Sequence, residues 1–287
     1  MPKLEHERQK SRDCSNAALY DYERMIWGAH EVRMSPVYLG AMNLRHVLAD
    51  LERVSGTILE IGCGAGSMVR AIGAYRPDLE VSGCDLSINT IREAKRRSVT
   101  ARLYGADATS LPFRSGAFKG AFLFDVLEHL PDPSCAISEA ARVLEPNGLL
   151  YISVPMEGRL WTVQGLLRRL GWRAFENTVG HIQAFEINSL KQMLASAGLR
   201  TTGVRWGGHL TSQIAHTGYV LWLSITRGPH SWMSVESRLS QPNRSLANRI
   251  VGILKGVVAI LSYLESGLLT GIPGAAAHIT ALNQRDW

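Results

Sequence analysis

The residues best placed to do chemistry lie together at Glu60-Ile-Gly62-Cys-Gly64-Ala-Gly66, where an apolar run stops and a helical pattern begins. Three glycines at alternate positions remove side chains where the chain turns sharply, so a ligand can lie against the backbone. A helix starting beside Gly66 offers its unpaired N–H groups to a carboxylate or phosphate. The spacing separates the candidate ligands. A dinucleotide loop needs a small third residue in a Gly-x-Gly-x-x-Gly pattern. Here that place falls on Ser67, and the third glycine comes one position earlier. A phosphate loop of the Gly-Lys-Ser/Thr kind needs a lysine that this segment lacks. Asp85 follows Gly66 by 19 residues, at the end of the next apolar run. An acid there can accept hydrogen bonds from both hydroxyls of a ribose, as in nucleoside-binding α/β folds. Taken alone, the glycines also suit a tight strand-to-helix turn with no ligand.

The elements that must hold these residues alternate along the chain. TILEIG (57–62) reads as a strand before a helix near 66–75, and LEVSGCD (79–85) as a strand before the helical INTIREAKRR. ARLYGAD (101–107), FKGAFLFDV (118–126), a helix near 134–144 and GLLYISVP (148–155) continue the series. Strand alternating with helix at this spacing predicts right-handed crossovers and a parallel sheet covered on both faces. Ahead of it, Leu39, Met42, Leu44, Val47, Leu48 and Leu51 recur at helical spacing up to Gly56. The first 36 residues are polar with scattered Tyr20, Tyr22 and Trp27, and read as a helical arm or lid within residues 1–56.

Composition narrows the class. The 287 residues are 46% hydrophobic and 20% charged, enough for a sizeable core and unlike a disordered or collagen-like chain. Cys14, Cys63, Cys84 and Cys135 stand singly, which reads as buried or incidental thiols in a reducing compartment. The charged start MPKLEHERQKSRD has no apolar run behind it, so a secretory signal is not expected. No stretch reaches the roughly 18 uncharged apolar residues of a spanning helix. The expectation is a cytoplasmic protein.

With the motifs in place, the chain from about Thr57 to Pro155 resembles the class I S-adenosylmethionine-dependent methyltransferases. ILEIGCGAG matches the family's first motif, GCDLS the acidic end of its second strand, and GADATSLPF its third-strand motif. FDVLEHL matches the fourth-strand motif and RVLEPNGLLYISVP the fifth strand. VLEHL followed by LEPNGLL looks most like the branch that methylates quinones, lipids and other small molecules. The resemblance implies a Rossmann-like fold: a mostly parallel seven-stranded sheet with an antiparallel last strand, its cofactor-binding core spanning 57–206. It implies S-adenosylmethionine as cofactor. Gly62, Gly64 and Gly66 would line its methionine and ribose part, Glu60 would help hold the ammonium, and Asp85 would take the ribose hydroxyls. Leu86 would pack on the adenine, Asp107 and Ala108 would read it, and Asp125 would face the methionine end and the acceptor. FDVL stands where base-amino methylases carry an NPPY-type signature, which argues against a nucleic-acid substrate.

A methyl on a sulfonium is already activated, so alignment does most of the work. A hydroxyl or carbon-acid acceptor also needs a base. The candidates are His181 in VGHIQAFE, then His129 and Glu128 after the fourth strand, with Asp125 beside them. Either histidine could instead serve the loop structure alone. No metal-ligand spacing is read.

Beyond Pro155 the pattern changes. A basic helical segment (158–173), a helix near 187–197 and the strand-like 199–206 are followed by about 65 residues, 208–272, before the last strand candidate at 275–283. This insert within 207–287 holds the two most apolar segments, 213–225 and 246–269. Residues 1–150 carry 18 Lys and Arg against 19 Asp and Glu, whereas 151–287 carry 13 against 6. Apolar helices beside excess positive charge predict a peripheral anionic membrane surface, and together with the resembled branch they imply an apolar small-molecule acceptor methylated on O or C. The alternatives are a soluble secondary metabolite with the insert as lid or dimer contact, and a non-catalytic cofactor-binding subunit.

Overall fold

The computed structural model describes residues 26–38, 40–97, 100–156, 162–172, 181–226 and 246–285. Its strands are β1 (Gly56–Ile61), β2 (Leu79–Asp85), β3 (Arg102–Gly105), β4 (Phe118–Phe124), β5 (Leu144–Pro155), β6 (Leu199–Gly207) and β7 (Ala276–Asn283). The helices are α1 (Ala41–Asp50), α2 (Ser67–Tyr75), α3 (Ile88–Arg96), α4 (Pro133–Val143), α5 (Val163–Arg169), α6 (Ile187–Ser196), α7 (Leu210–Thr226) and α8 (Leu246–Leu268). Local chemistry sets several starts. The Ser87 hydroxyl accepts from the Thr90 amide and the Asp132 carboxylate from the Ser134 amide, capping α3 and α4. Pro133 opens α4, where a missing N–H costs nothing.

The strands form one sheet in the order β3-β2-β1-β4-β5-β7-β6. All pairs from β3 to β5 are parallel, and β7 runs antiparallel to both β5 and β6. The expected seven strands and antiparallel last strand are therefore present. Helices cover both faces. Leu59, Leu123, Ile152 and Ile279 pack toward α4 and α6, while Ile58, Phe122 and Tyr151 pack toward α1, α2 and α3. Burial on both faces explains why residues 120–124 of β4 and 148–154 of β5 read as nearly continuous apolar runs. The chain leaves β1 for β2 in one direction and later adds β4 on the other side. The sheet thus has a switch point at the carboxyl ends of β1 and β4, where open α/β sheets collect ligands.

Two strand ends differ from the sequence reading. β3 stops at Gly105 because the Asp107 carboxylate accepts from the Thr109 amide at 2.8 Å and the Asp107 carbonyl from the Ser110 amide at 3.0 Å, making a turn. β5 begins four residues early, at Leu144. Of the first 36 residues, expected as a short helical arm or lid, 1–25 lie outside the described residues, and 26–38 run as bends and turns until α1 starts at Ala41. Tyr20 and Tyr22 lie outside the described residues, as do Cys14 and part of the basic segment, including Arg159 and Trp161. Cys63 and Cys84 are buried free thiols, and burial pushes Cys84 up to about 12.

The described part of the insert between β6 and β7 is a helical pair rooted by polar contacts. The Trp206 amide donates to the Thr270 carbonyl at 2.8 Å, and the Thr211 amide to the Glu265 carboxylate at 2.9 Å. Gln213 accepts from the Val163 amide at 2.8 Å, tying α5 to α7. Arg45 of α1 donates to the Tyr263 hydroxyl of α8 at 3.3 Å. No described helix is long and apolar enough to cross a membrane.

Candidate active site

The glycine-rich loop joins β1 to α2 by folding back on β2. The amides of Gly62 and Cys63 both donate to the Cys84 carbonyl, at 2.8 and 2.9 Å. Gly62, Gly64 and Gly66 all have left-handed backbones, with φ of 76°, 55° and 78°. Their need for glycine comes first from the protein itself. A Cβ on Gly62 would collide with Val126 Cγ2, and one on Gly64 would meet the Trp27 carbonyl oxygen at 2.7 Å. The sequence reading ascribed these glycines to room for a ligand; the structure shows that the loop after β4 and residues 26–38 occupy the Cβ directions of Gly62 and Gly64.

That N-terminal segment, expected as a helical arm or lid, makes its contact here through extended chain and turns. The Ala65 amide donates to the Trp27 carbonyl at 2.7 Å, so the chain lies on the loop at the start of α2. Arg70 of α2 holds both parties, donating to the Ala65 carbonyl at 2.5 Å and to the His30 carbonyl at 3.0 Å. Gly28, with φ 67°, fits against Ser67 Oγ where a Cβ would approach to 3.3 Å. A single glycine after an aromatic residue was the only signal available for this contact.

Two acids bracket the loop. Asp85 ends β2 with its carboxylate accepting from the amides of Gly64 and Ser87, each at 2.9 Å. These bonds aim an ionised group at the loop. Glu60 is buried on β1, and burial holds its carboxyl well above the usual carboxylate range, partly offset by a bond from the Val69 amide. Its Oε2 has no hydrogen-bond partner among the described residues. A buried oxygen in that state is costly unless a ligand donor satisfies it. Next to Asp85, Leu86 is 53% exposed. The β2–β3 register pairs Asp85 with Gly105, and the Ala106 amide donates to the Asp85 carbonyl at 3.0 Å. Leu86 thus stands near Asp107 and Ala108. A ribose, an ammonium group and a flat base fit this set of acceptors and apolar surface.

On the other side of the switch point, β4 ends in a cluster of titratable groups. Asp125 has φ 52°, a left-handed conformation that aspartate tolerates better than most residues. Its amide donates to the Ser153 carbonyl at 3.0 Å. Asp125 reaches solvent at the mouth, yet the protein packed round its carboxyl pushes the pKa up to about 6, against the pull of His181 and a bond with Ser153. A 3-10 turn, Leu127–His129, follows. The Glu128 carbonyl accepts from the amides of Ile182 and Gln183 at 2.9 and 3.1 Å, which brings His181 over the turn. The His129 and His181 rings meet edge to face, centroids 5.0 Å apart. Nitrogen and oxygen atoms of Glu128, His129 and His181 lie within 4.8 Å of one another. Such a group can relay a proton, and its spacing would also suit a divalent cation, a property hidden in the sequence because His181 comes from another segment. Val126, packed on Gly62, joins this cluster to the glycine loop. Every residue expected in the site is therefore at the carboxyl edge of the sheet: His181, His129 and Asp125 together, and Glu60, Asp85, Leu86, Asp107 and Ala108 round the loop.

Comparison with known proteins agrees with this geometry. A family model described as a methyltransferase domain matches residues 37–203. The ubiquinone biosynthesis O-methyltransferase of Xanthomonas axonopodis pv. citri is 27% identical over 121 residues, 40% of this chain and 49% of that protein. The chain therefore spans about half the length of that relative. The demethylmenaquinone methyltransferase of Thermus thermophilus is 30% identical over 173 residues, 54% of this chain and 79% of that protein. Phosphoethanolamine N-methyltransferase 2 of Haemonchus contortus, solved in complex with S-adenosylmethionine, superposes with a TM-score of 0.55 at 17% identity, covering 85% of this chain and 53% of that one. S-adenosylmethionine fits the residues present: its ammonium would satisfy Glu60, its ribose Asp85, and its adenine the surface of Leu86 and Ala108 beside Asp107. The chain belongs to the class I S-adenosylmethionine-dependent methyltransferase family.

Proposed function

We propose that the protein transfers a methyl group from S-adenosylmethionine to an oxygen or carbon of an apolar small molecule such as a quinone, isoprenoid or lipid. The observation that carries this reading is the meeting of Asp125, His129 and His181 one residue from the Val126 contact with Gly62. The bound cofactor supplies a methyl already activated on a sulfonium. The chain's own part is to align the acceptor and take its proton. His181 is the group placed to accept the acceptor's proton at a ring nitrogen as the methyl passes from sulfur to the acceptor, with Asp125 beside it. The Glu128 carbonyl, through Ile182 and Gln183, holds His181 in place. The quinone methyltransferases among the relatives support the acceptor class.

The test is mass spectrometry of a lipid and small-molecule extract incubated with the protein and methyl-labelled cofactor. Label in an apolar product on O or C is expected. Label only in a water-soluble metabolite would move the acceptor to that class, and no turnover with tight cofactor binding would leave a binding subunit.

A further inference from the structure

The insert presents an apolar surface left exposed among the described residues. On α8, Ile253, Leu254, Val257, Leu261, Leu264 and Leu268 are all exposed, Ile253 by 68% and Leu268 by 85%. At 100° per residue these six positions fall within an arc of about 100°, running roughly 22 Å along the helix. Ala259 and Ser266 on the opposite side are buried against the domain. The stripe therefore faces outward because the other face is already used. On α7, Leu210, Ile214 and Leu221 form a second exposed stripe. Neighbouring α5 adds Leu166 and Leu170, the latter 75% exposed, in the same turn and a half as Arg168 and Arg169. Surfaces of this kind are rare on monomeric soluble proteins and mark an interaction site.

We infer that α5, α7 and α8 form a plate that docks on an anionic lipid surface, lying in the interface without crossing it. Charge decides between this occupant and a second copy of the chain. The three helices contain a single acidic residue, Glu265, which bonds the Thr211 amide at the root of the pair. They contain the basic residues Arg168 and Arg169, beside the exposed leucines of α5, and Arg249, whose position lies about 40° from the edge of the α8 stripe. Two copies meeting through this plate would bring basic faces together, since the three helices carry no acid besides Glu265. Anionic headgroups complement that positive charge, and the leucine and isoleucine stripes provide burial in the acyl boundary. Glu265 closes the root of the plate, and no described helix is long and apolar enough to span. Binding is accordingly peripheral. It requires no particular reaction, so it stands or falls apart from the methyl transfer.

The test is flotation of the full chain with vesicles of pure phosphatidylcholine and of phosphatidylcholine with about one third phosphatidylglycerol, with cofactor binding followed in parallel as a fold control. Partition should rise at least ten-fold with the anionic lipid and fall as salt reaches about 0.5 M, where the screening length shrinks to a few ångströms. R168E/R169E should weaken partition about ten-fold or more, and Val257→Asp with Leu261→Asp should abolish it, each with cofactor binding retained. Equal partition into neutral and anionic vesicles, or none into either, overturns the inference. So does a stable dimer by light scattering that the Val257 and Leu261 changes split. The comparison of the two vesicle types uses the unaltered chain and holds even where a variant fails to fold.

Discussion

The rings of His129 and His181 lie edge to face with centroids 5.0 Å apart, although the two residues belong to different segments of the chain. If His181 is the base, His181→Ala should lower turnover about 10²–10⁴-fold and leave cofactor affinity nearly unchanged. His129→Ala should cost less by itself. The double variant should fall well short of the product of the two losses, because residues acting as a unit are not additive. Single-turnover rates with labelled cofactor, beside calorimetry with S-adenosylhomocysteine, check this. An unaltered rate in His181→Ala removes the role.

Asp125 bears on the pH profile. Its carboxyl is pushed up to about 6, so it gains charge as pH rises through that value. Methyl transfer that relies on this charge should climb over the same interval and level off above it. Asp125→Asn keeps a side chain suited to φ 52° and removes the charge, so the acid limb should disappear. A limb that survives in Asp125→Asn belongs to another group.

Asp85→Ala removes an ionised acceptor that both shapes the loop, through Gly64 and Ser87, and faces the ribose. The cost in cofactor affinity should be about 2–3 kcal/mol, or roughly 30–150-fold. Calorimetry on a folded variant measures it. Unchanged affinity would dismiss the ribose assignment.

Gly64→Ala tests the N-terminal segment rather than the cofactor alone. The new Cβ would sit 2.7 Å from the Trp27 carbonyl on a backbone with φ 55°. The left-handed conformation alone costs an alanine about 1–2 kcal/mol. Proteolysis within residues 26–38 should quicken. Gly218, in α7 with nothing within 4 Å of its Cβ position, is the control. There alanine should be neutral or stabilising by up to about 1 kcal/mol.

A buried polar group beneath α1 sets the acid sensitivity of the fold. Burial lowers His46 to about 4 and His278 well below its usual range, and the rings stack edge to face at 4.7 Å. The unfolded chain binds these protons near pH 6.5 while the folded chain does not. Stability is therefore complete above that pH and falls as pH drops toward 4. His46 alone accounts for up to about 3 kcal/mol of that loss. Thermal unfolding at pH 7.5 and 5 should show a drop that His46→Gln reduces. An equal drop in the variant would assign the sensitivity elsewhere.

How far the sequence speaks for itself differs from element to element. Mostly apolar runs such as GAFLF and GLLYISVP mark strands because a sheet covered on both faces buries most of their side chains. Asp85 was legible because it ends such a run at a set distance from the glycines. By itself the sequence therefore determined the α/β alternation, a property of short windows and their order, and the resemblance of its motifs implied the antiparallel closing strand. Only the tertiary structure decided which histidines meet, because His181 reaches Glu128 and His129 through backbone bonds that no spacing rule encodes. It also decided what the glycines are for, since Val126 and Trp27 approach them from distant segments. The direction of the apolar stripe on α8 was settled in the same way. Helical periodicity shows that one face is apolar, but whether that face is packed or exposed depends on what the rest of the chain brings against it, here against Ala259 and Ser266 on the other side.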